Sequence, residues 1–559
     1  MKSNFNIRRK KSATVQPADP KRKSRWLFFL VLFLQLLFAV FWCTQKSGYF
    51  VDELWSYGLA NSYYKPYVYV GSPVEDGWVS GEYFGNYLTV DAEHRFDYGS
   101  VFYNQEMDTH PPLFYLILHT ICSLFPGTFS KWYGLLPNLV CFLAVSVLVY
   151  LWAGKLFRKG RGFPLACMIF WSFSIAAMSC VVFLRMYMLL TLWFTASLYL
   201  HTCMIIDHRQ SLRRLAALLA LTFLGFFSHY YFAILGAFLS AGYVFWLLFH
   251  RYWKRLWQYV VTMLLSLGLV WLVFPDTFTK ILGLDSNRGV QAYQNLRNTN
   301  TLLPRLGKFL EIINNELFAG FLPLFVLLTA IVFLVLKIFQ VRRIRRKTVR
   351  KKVSGTKDFS ARPGTAAVLA ITAAVISLYT VLIALIAPYQ ADRYIFCIFP
   401  AVSVLFTAAL FRLFSLLSWR ADGGKAVWLL LLLLTAVQWL TGTTNYLYQY
   451  KKDNVAVSQA YADHDCLYIT YDYNRYLPTN NLLELQNYHR VLTVKISGED
   501  YSPIASALSQ TAASPVVYLD NTMDTTAVIQ YIRENGNYGA PTLLYQDDKI
   551  TASCFEPAP

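Results

Sequence analysis

Long apolar stretches recur along this chain, and short connectors rich in lysine and arginine separate them. Hydrophobic residues make up 56% of the 559 positions, and the mean hydropathy is +0.36. A soluble chain of this length would divide into domains with polar surfaces. Because runs of about 20 apolar residues cross a bilayer as helices, we predict a polytopic α-helical membrane protein with about eleven transmembrane helices. The spans are predicted near residues 26–44, 132–153, 163–184, 186–205, 214–229, 231–249, 258–275, 317–339, 365–388, 394–416 and 426–445.

The basic residues lie mostly in alternate connectors. If the N-terminus is cytoplasmic, the connectors on that side hold 33 of the 51 Lys and Arg residues but only four of the 32 acids. This bias predicts a multi-pass protein of the cytoplasmic membrane with its C-terminal region extracytoplasmic. The basic runs Arg8–Lys11 and Arg342–Lys352 adjoin spans, so membrane lipid is their expected partner and nucleic acid is not. The cytoplasmic segments are 1–25, 154–162, 206–214, 250–256, 337–362 and 412–425.

Changes in polarity divide the chain into three regions. A basic cytoplasmic N-terminus (1–25) precedes a transmembrane domain (26–446), which carries outer loops at 45–131 and 276–316. Region 447–559 is polar and alternates strand patterns with helix patterns, which predicts a small extracytoplasmic α/β domain. The strands are predicted at 466–470, 491–496, 515–520 and 541–546, and the helices at 481–488 and 526–535.

Three shorter features are open to interpretation. Residues 111–125 are apolar but too few to cross a bilayer, so we predict an interfacial or re-entrant helix there. The segment 302–318 has the pattern of an amphipathic surface helix. Cys466 and Cys554 fit either a disulfide or two separate core positions.

A set of polar residues falls at the outer ends of spans or in outer loops, although its members are hundreds of positions apart. The charge bias alone fixed the topology, so their convergence on one side is partly independent evidence for a single site. The set comprises Asp52, Glu53, Asp108, His110, Arg185, Tyr187, His229, Tyr230, Arg393 and Tyr394.

Arg185 and Arg393 are the most informative members of this set. Each lies near the outer start of a span, where both the positive-inside trend and the helix dipole disfavour a cation. An arginine in such a place needs an anionic partner. A lipid-linked phosphate fits, because a guanidinium group matches phosphate oxygens and a helix N-terminus adds N–H donors.

Each residue alone also fits an ordinary structural role. Asp52 suits the cap of a helix over 51–62, and Glu53 suits its first turn. Arg185 or Arg393 could pair with an acid such as Asp392. The histidines suit turns and helix ends, and the tyrosines suit the aromatic belt of a membrane protein. The functional interpretation therefore rests on the combination.

The motifs around these residues resemble those of the GT-C superfamily of polytopic glycosyltransferases. The chain is most similar to glycosyltransferase family 39, the relatives of protein O-mannosyltransferases and aminoarabinose transferases. The resemblance covers about residues 25 to 445, and the C-terminal region carries no motif of the family. The motifs are VDELWSYGLA (51–60), DTHPPLFYLILH (108–119), FLRMYMLL (183–190), SHYYF (228–232) and DRYIFCIFP (392–400).

The resemblance implies a glycosyltransferase that moves a sugar from a polyprenyl-phosphate-linked donor to an acceptor on the outer face, with inversion. Asp52 would be the general base, and Glu53 would orient Asp52 or the acceptor. The sequence leaves open whether the acceptor is a protein, a wall polymer or a glycolipid. The remaining roles implied are donor and phosphate binding for Arg185, Tyr187, Arg393 and Tyr394, and lining of the substrate cavity for Asp108, His110, His229 and Tyr230.

Alternatives concern both the cofactor and the function. Asp52, Glu53, Asp108 and His110 carry metal-ligand atoms, but their spacing is not compact. We therefore expect no obligatory cofactor, with a divalent metal as the alternative. A transporter or flippase for a lipid-linked sugar is a second function, but transport sites usually lie near the bilayer midplane. A non-catalytic accessory subunit is the third, and the intact Asp-Glu pair argues mildly against it.

Overall fold

A computed structural model describes most of the chain, and its secondary structure is mainly helical. Residues 1–19, which make up most of the predicted N-terminal region, lie outside the described part, as do 346–360 of the basic connector 337–362. The described residues are 20–69, 73–75, 77–157, 162–281, 287–297, 299–345, 361–416, 423–511 and 513–559.

The first half of the membrane body combines long apolar helices with shorter helices in the predicted outer loop. A two-residue strand, β1 (Val79–Ser80), also lies in this loop. The helices are α1 (Pro20–Gln45), α2 (Val51–Asn61), α3 (Glu82–Leu88), α4 (Tyr98–Met107), α5 (Leu113–Ser123), α6 (Lys131–Leu156), α7 (Gly162–Ser172), α8 (Ile175–Val182), α9 (Tyr187–Ile206) and α10 (Leu212–Phe226).

The second half adds further long helices around a second predicted outer loop. The predicted amphipathic helix is present as α15, which buries Phe309, Ile313 and Leu317 along one face. The helices are α11 (Tyr231–Phe249), α12 (Trp253–Val273), α13 (Asp276–Ile281), α14 (Asn287–Arg297), α15 (Leu302–Phe318), α16 (Leu322–Arg345), α17 (Thr365–Ile386), α18 (Phe399–Leu416) and α19 (Gly423–Thr441).

In the described part, eight helices are long and apolar enough to cross a membrane, and the predicted class is confirmed. Two bent pairs, α7 with α8 and α15 with α16, raise the number to ten if each pair is one span. The one predicted span not among these ten, 214–229, corresponds to α10, which has 15 residues. At 1.5 Å per residue it is about 22 Å long, which is less than the roughly 30 Å hydrocarbon core. The helix α5, with 11 residues, is too short by the same measure, as predicted for 111–125.

At the 56° bend between α7 and α8, the neighbouring helix α19 satisfies backbone groups that the break leaves free. Gln438 of α19 accepts a hydrogen bond from the Ile175 N–H at 3.2 Å, and the Trp439 indole donates to the Phe173 carbonyl at 2.7 Å. Ser174 also caps α8 by accepting from the Ala177 N–H at 3.2 Å. A break in a membrane helix is tolerated where neighbouring side chains satisfy the freed backbone groups.

The C-terminal region folds around a six-stranded sheet in the order β1-β3-β2-β4-β6-β5. The central strands β3, β2 and β4 are parallel, and the remaining pairings are antiparallel. The elements are α20 (Lys451–Ala460), β2 (Asp465–Tyr471), α21 (Leu482–Leu485), β3 (Arg490–Ile496), α22 (Ser502–Leu508), β4 (Val516–Asp520), α23 (Thr525–Gly536), β5 (Thr542–Gln546) and β6 (Ile550–Cys554).

This sheet contains the four predicted strands and two that the sequence analysis did not predict. β6 pairs with β4, and β1 comes from the first outer loop and pairs with β3 through Val79 and Val491. The predicted helix 481–488 is only a single turn, α21. A strand of two residues carries too little pattern to be recognised locally, and only its long-range partner makes it a strand.

The open question about Cys466 and Cys554 is settled by the strand order. Val516 of β4 pairs with Cys466 on one side and with Cys554 on the other. The two cysteines are therefore two strand spacings apart, about 9.6 Å, whereas a disulfide needs Cα atoms closer than about 7 Å. Both are separate buried thiols.

Candidate active site

A cavity of about 790 Å³ lies at one end of the membrane helices, where the predicted polar set converges. Its volume is in the range of small-molecule sites. The tenth predicted residue, Glu53, is fully buried behind the cavity wall. The nine predicted residues that line the cavity are Asp52, Asp108, His110, Arg185, Tyr187, His229, Tyr230, Arg393 and Tyr394.

Asp52 forms an ion pair with Arg393 inside this cavity. The Asp52 Oδ2 atom lies 3.1 Å from Arg393 Nη1, and the side chains are 21% and 4% exposed. The rings of Phe50 and Tyr389 have their centroids 4.9 and 5.2 Å from the guanidinium carbon, which favours the cation. Asp52 is the second residue of α2, whose N-cap is Phe50, so the alternative role of Asp52 as a helix cap is wrong.

Asp392 does not supply the charge that balances Arg393. Its carboxylate accepts hydrogen bonds from the Tyr446 hydroxyl, from Asn445 Nδ2 at 2.7 Å and from the backbone N–H of Arg393 at 2.7 Å. These bonds fix the tight turn Asp392–Tyr394. This turn places the Arg393 side chain in the cavity wall. The alternative pairing of Arg393 with Asp392 is therefore wrong.

Arg185 occupies the break between α8 and α9 and is 4% exposed. Its Nη1 donates to the Asp52 carbonyl at 3.0 Å, to Ser56 Oγ at 2.9 Å and to the Tyr115 hydroxyl at 3.2 Å. Its Nη2 lies 3.4 Å from His110 Nε2. Arg185 thus holds the first turn of α2 against α5, and it fixes the backbone of Asp52 directly.

Asp108 and His110 form a second polar pair on the cavity wall. His110 Nδ1 lies 2.9 Å from Asp108 Oδ2. Burial raises the pKa of Asp108, but interactions with His110 and Arg185 outweigh burial and lower that pKa to about 2. Burial lowers the pKa of His110; Asp108 opposes this shift and Arg185 adds to it. A neutral His110 donates from Nδ1 to Asp108 and accepts from Arg185 at Nε2.

His229 presents an unused hydrogen-bond donor to the cavity. Its Nδ1 accepts from the Tyr231 N–H at 3.0 Å, so the proton of the neutral ring is assigned to Nε2. In the described part of the chain Nε2 has no partner. Burial, together with the charges of His110 and Arg185, lowers the pKa of His229 well below its usual value. The Tyr187 ring packs against His229 with centroids 5.2 Å apart.

Glu53 joins three segments behind the wall. Its carboxylate accepts from Lys46 Nζ at 2.9 Å, from the Phe50 N–H at 2.6 Å and from the Leu184 N–H at 2.8 Å. Lys46 also donates to the Tyr446 carbonyl at 2.7 Å. Burial raises the pKa of Glu53 and lowers that of Lys46, while their mutual attraction and the N–H bonds favour the charged pair. Glu53 therefore anchors the start of α2 beside the loop that carries Arg185.

The sequence analysis did not single out Lys46, Ser56 or Tyr115. Lys46 could have been recognised, because it directly follows the first predicted span on the side that should lack basic residues. Ser56 lies four residues after Asp52, on the same helix face. Tyr115 stands within the DTHPPLFY segment, but its contact with Arg185 depends on how α5 packs against α2.

One wall of the cavity is apolar. Ala233 and Ile234 of α11 and Leu382 and Ile386 of α17 face it, and both helices are long enough to cross a membrane. The cavity therefore brings buried cations and an aliphatic surface together, which are the two features that bind a lipid phosphate.

No three His, Cys, Asp or Glu side chains come together as a metal site within the described ranges. Asp52 engages Arg393, and Asp108 engages His110, so each carboxylate has a protein partner. Metal independence stays a prediction, since a substrate could bring its own ion.

No protein-family model matches this chain, and no curated protein is similar to it in sequence. Its fold is similar to that of ArnT from Cupriavidus metallidurans. The crystal structure of that protein in the apo state has a TM-score of 0.50 at 12% identity, covering 96% of this chain and 98% of that one. The crystal structure of the same protein bound to undecaprenyl phosphate has a TM-score of 0.48 at 12% identity, covering 94% and 97%. The match to the apo structure shows that the two chains share a fold.

Proposed function

We propose that this protein is a membrane glycosyltransferase that moves a sugar from a polyprenyl-phosphate donor to a hydroxyl of an acceptor. The observation that carries this proposal is one cavity with an aliphatic wall in which the Asp52 carboxylate pairs with the buried Arg393, while the buried Arg185 donates to the Asp52 carbonyl. A base and two cations facing one space are what sugar transfer from a lipid phosphate requires.

The donor lipid would lie along the apolar wall of α11 and α17, with its phosphate near Arg185 and Arg393. Both guanidinium groups are held in place by the protein, so they need little reorganisation when charge develops. Their Nε atoms are buried and have no hydrogen-bond partner among the described residues. The fold shared with ArnT, which has also been crystallised with undecaprenyl phosphate, is consistent with a donor of this class.

In the transfer step, the acceptor O–H proton passes to the Asp52 carboxylate as the oxygen attacks the anomeric carbon. The bond between that carbon and the phosphate oxygen breaks, and its electron pair leaves with the polyprenyl phosphate. The leaving phosphate gains negative charge, which Arg185 and Arg393 stabilise. Attack from the side opposite the phosphate inverts the anomeric configuration. Reaction on the outer face follows from the predicted topology.

Glu53 and Arg185 would position the base through the backbone of α2. His229 would donate its Nε2 proton to an oxygen of the donor sugar or phosphate. Asp108 would hold His110 in the tautomer that accepts from Arg185.

The test uses purified protein and a panel of radiolabelled undecaprenyl-phosphate sugars. Release of the free lipid phosphate and transfer of label to an acceptor or to water would be measured for the wild type and for Asp52→Asn. The matched control is Asp463→Asn, because Asp463 is an exposed acid of the C-terminal domain. Turnover by the wild type and the control, lost in a folded Asp52→Asn protein, is the expected result.

Two outcomes would contradict the proposal. Turnover that persists in Asp52→Asn would remove Asp52 from the role of base. Donor binding without lipid phosphate release under any acceptor condition would favour a transporter or an accessory subunit.

A further inference from the structure

A second, smaller cavity of about 320 Å³ lies between α2 and the C-terminal domain. It shares two lining residues, Trp55 and Tyr476, with the larger cavity. Trp55 follows Asp52 by three positions on α2, so the two side chains are neighbours on one face of the helix. The two cavities therefore meet at two aromatic residues, and one of them, Trp55, is a helical neighbour of the proposed base.

The walls of the two cavities come from different parts of the chain. The larger cavity includes aliphatic residues of spanning helices, whereas the smaller one takes Val51 and Trp55 from α2 and all its other residues from the C-terminal domain. Those other residues are mostly amides, acids, a hydroxyl and an amine. A lipid tail suits the first cavity, whereas the second combines aromatic and apolar surface with fixed polar groups.

Several polar groups of the small cavity are held in fixed positions. Asn480 donates from Nδ2 to the Leu477 carbonyl at 2.8 Å, and its Oδ1 accepts from Lys549 Nζ at 2.8 Å. Asp520 is 1% exposed, and its carboxylate accepts from Asn474 at 2.7 Å and from the Thr522 hydroxyl at 2.7 Å. Fixed donors and acceptors recognise a ligand with little loss of side-chain entropy.

Two charged residues, Asp548 and Lys549, line this cavity. Asp548 is exposed and has no hydrogen bond or ion pair in the part of the chain that the structure describes. Lys549 Nζ lies 6.0 Å from the centroid of the Phe50 ring, and Phe50 is the N-cap of α2. A group bound between Asp548 and Trp55 would therefore lie close to the first turns of α2, which carry the proposed base.

We propose that the small cavity is the acceptor site and that the acceptor is a carbohydrate, bound through one or two sugar rings. This inference rests on the proposed function. A sugar ring presents a C–H face that packs on an aromatic ring such as Trp55, and neighbouring hydroxyls pair with the two atoms of a carboxylate or amide, as on Asp548 and Asn480. The volume is enough for a small ligand but not for an extended peptide. Asp548 also disfavours a phosphorylated group at this position.

The first experiment measures binding without turnover. Asp52→Asn protein would be titrated with maltotetraose, cellotetraose and chitotetraose, and with a serine-containing hexapeptide, by isothermal calorimetry. We expect at least one oligosaccharide to bind, and Asp548→Ala in the same background to weaken binding about tenfold, as for a lost hydrogen bond to a charged group. Asp463→Ala is the matched control and should leave the affinity unchanged.

The second experiment measures transfer from the radiolabelled lipid donor to the oligosaccharide that binds. Asp548→Ala should raise the KM for the oligosaccharide about tenfold with kcat within about twofold, which a merely structural defect would not produce. Saccharide binding that depends on Asp548, without any donor turnover, would support the site and contradict the proposed function. The acceptor inference is overturned if no oligosaccharide binds at about 10 mM, if Asp548→Ala leaves both affinity and KM unchanged, or if only the peptide binds.

Discussion

Asp52 and Glu53 are adjacent in the sequence, yet the fold gives them opposite surroundings. Asp52 faces the cavity, is partly exposed and pairs with Arg393. Glu53 faces the interior, is fully buried and pairs with Lys46, Phe50 and Leu184. Successive helical residues point about 100° apart, so α2 directs one acid to the cavity and the other to the protein interior. An acidic pair in a sequence therefore does not imply a shared chemical role.

The two ion pairs also differ in what their removal should do. The Asp52–Arg393 pair is accessible from the cavity, and a phosphate can compete for Arg393. The Lys46–Glu53 pair is closed to solvent, and neither partner can be removed without leaving a buried charge. The following predictions separate loss of activity from loss of stability.

The largest expected effect is that of Asp52→Asn on activity. The amide has the shape of the carboxylate but cannot accept the acceptor proton, so kcat should fall about 10²–10⁴-fold. The thermal unfolding temperature in detergent should change little. Lipid phosphate release and a thermal scan on the same preparation check both parts. A large loss of thermal stability would show that the Asp52–Arg393 pair is structural, like its neighbour.

Glu53→Gln should act chiefly on stability. It leaves the Lys46 ammonium buried without a counter-charge, which costs about 3–5 kcal/mol of unfolding free energy. The double variant Lys46→Met with Glu53→Gln removes the orphaned charge and should recover most of the loss. Thermal unfolding of the wild type, both single variants and the double variant gives the coupling energy. A double variant as unstable as Glu53→Gln would contradict a coupled pair.

Arg393→Lys should have a smaller effect on donor use. Lysine keeps the charge but loses the planar fork that can contact Asp52 and a phosphate together. We expect kcat/KM for the lipid donor to fall about tenfold to hundredfold, the range for hydrogen bonds to charged groups. Arg533→Lys, in α23 of the C-terminal domain, is the control. Equal kcat/KM in both variants would argue against phosphate binding by Arg393.

The smallest expected effect is the pH dependence that arises from His229. Its pKa is lowered in the folded state, so the unfolded state binds more protons as the pH falls below the ordinary value of 6.5. The free energy of unfolding is therefore unaffected by His229 above pH 6.5. It decreases as the pH falls from 6.5 towards the lowered pKa, by at most about 1.4 kcal/mol per pH unit.

His229→Asn should flatten this slope, because an asparagine side chain does not titrate. The Asn Oδ1 atom can still accept from the Tyr231 N–H, so the variant keeps that hydrogen bond. Exposed His208, changed to Asn, is the control. Thermal unfolding between about pH 7 and pH 5 provides the comparison. An unchanged slope in His229→Asn would assign the pH dependence to His110 or to another group.

Much of this architecture follows from local pattern. Most of the apolar spans, the strands β2 to β5 and the amphipathic α15 come from runs and periods that act within one segment, and these predictions agree with the structure; the predicted span 214–229 is the exception, because α10 is too short. Motif and charge bias also selected nine residues that the fold brings to one cavity. The role of each residue in that cavity stays a proposal until it is measured.

Other features depend on which segments meet. The sequence could not show that β1 pairs with β3, that Gln438 and Trp439 satisfy the break between α7 and α8, or that Cys466 and Cys554 are separated by a strand. Nor could it assign Arg393 to Asp52 rather than to its neighbour Asp392. Each of these features depends on how segments that are distant in sequence pack against one another.

The sequence by itself determined the membrane class, the position of the spans and the identity of the polar set, because hydrophobicity and charge act residue by residue along the chain. The tertiary structure alone decided that Asp52 faces the larger cavity while Glu53 is buried, and that a second cavity, lined mostly by the C-terminal domain, adjoins Trp55. Burial and pairing are properties of the packed chain, since they depend on the direction in which each helix presents its faces to the others.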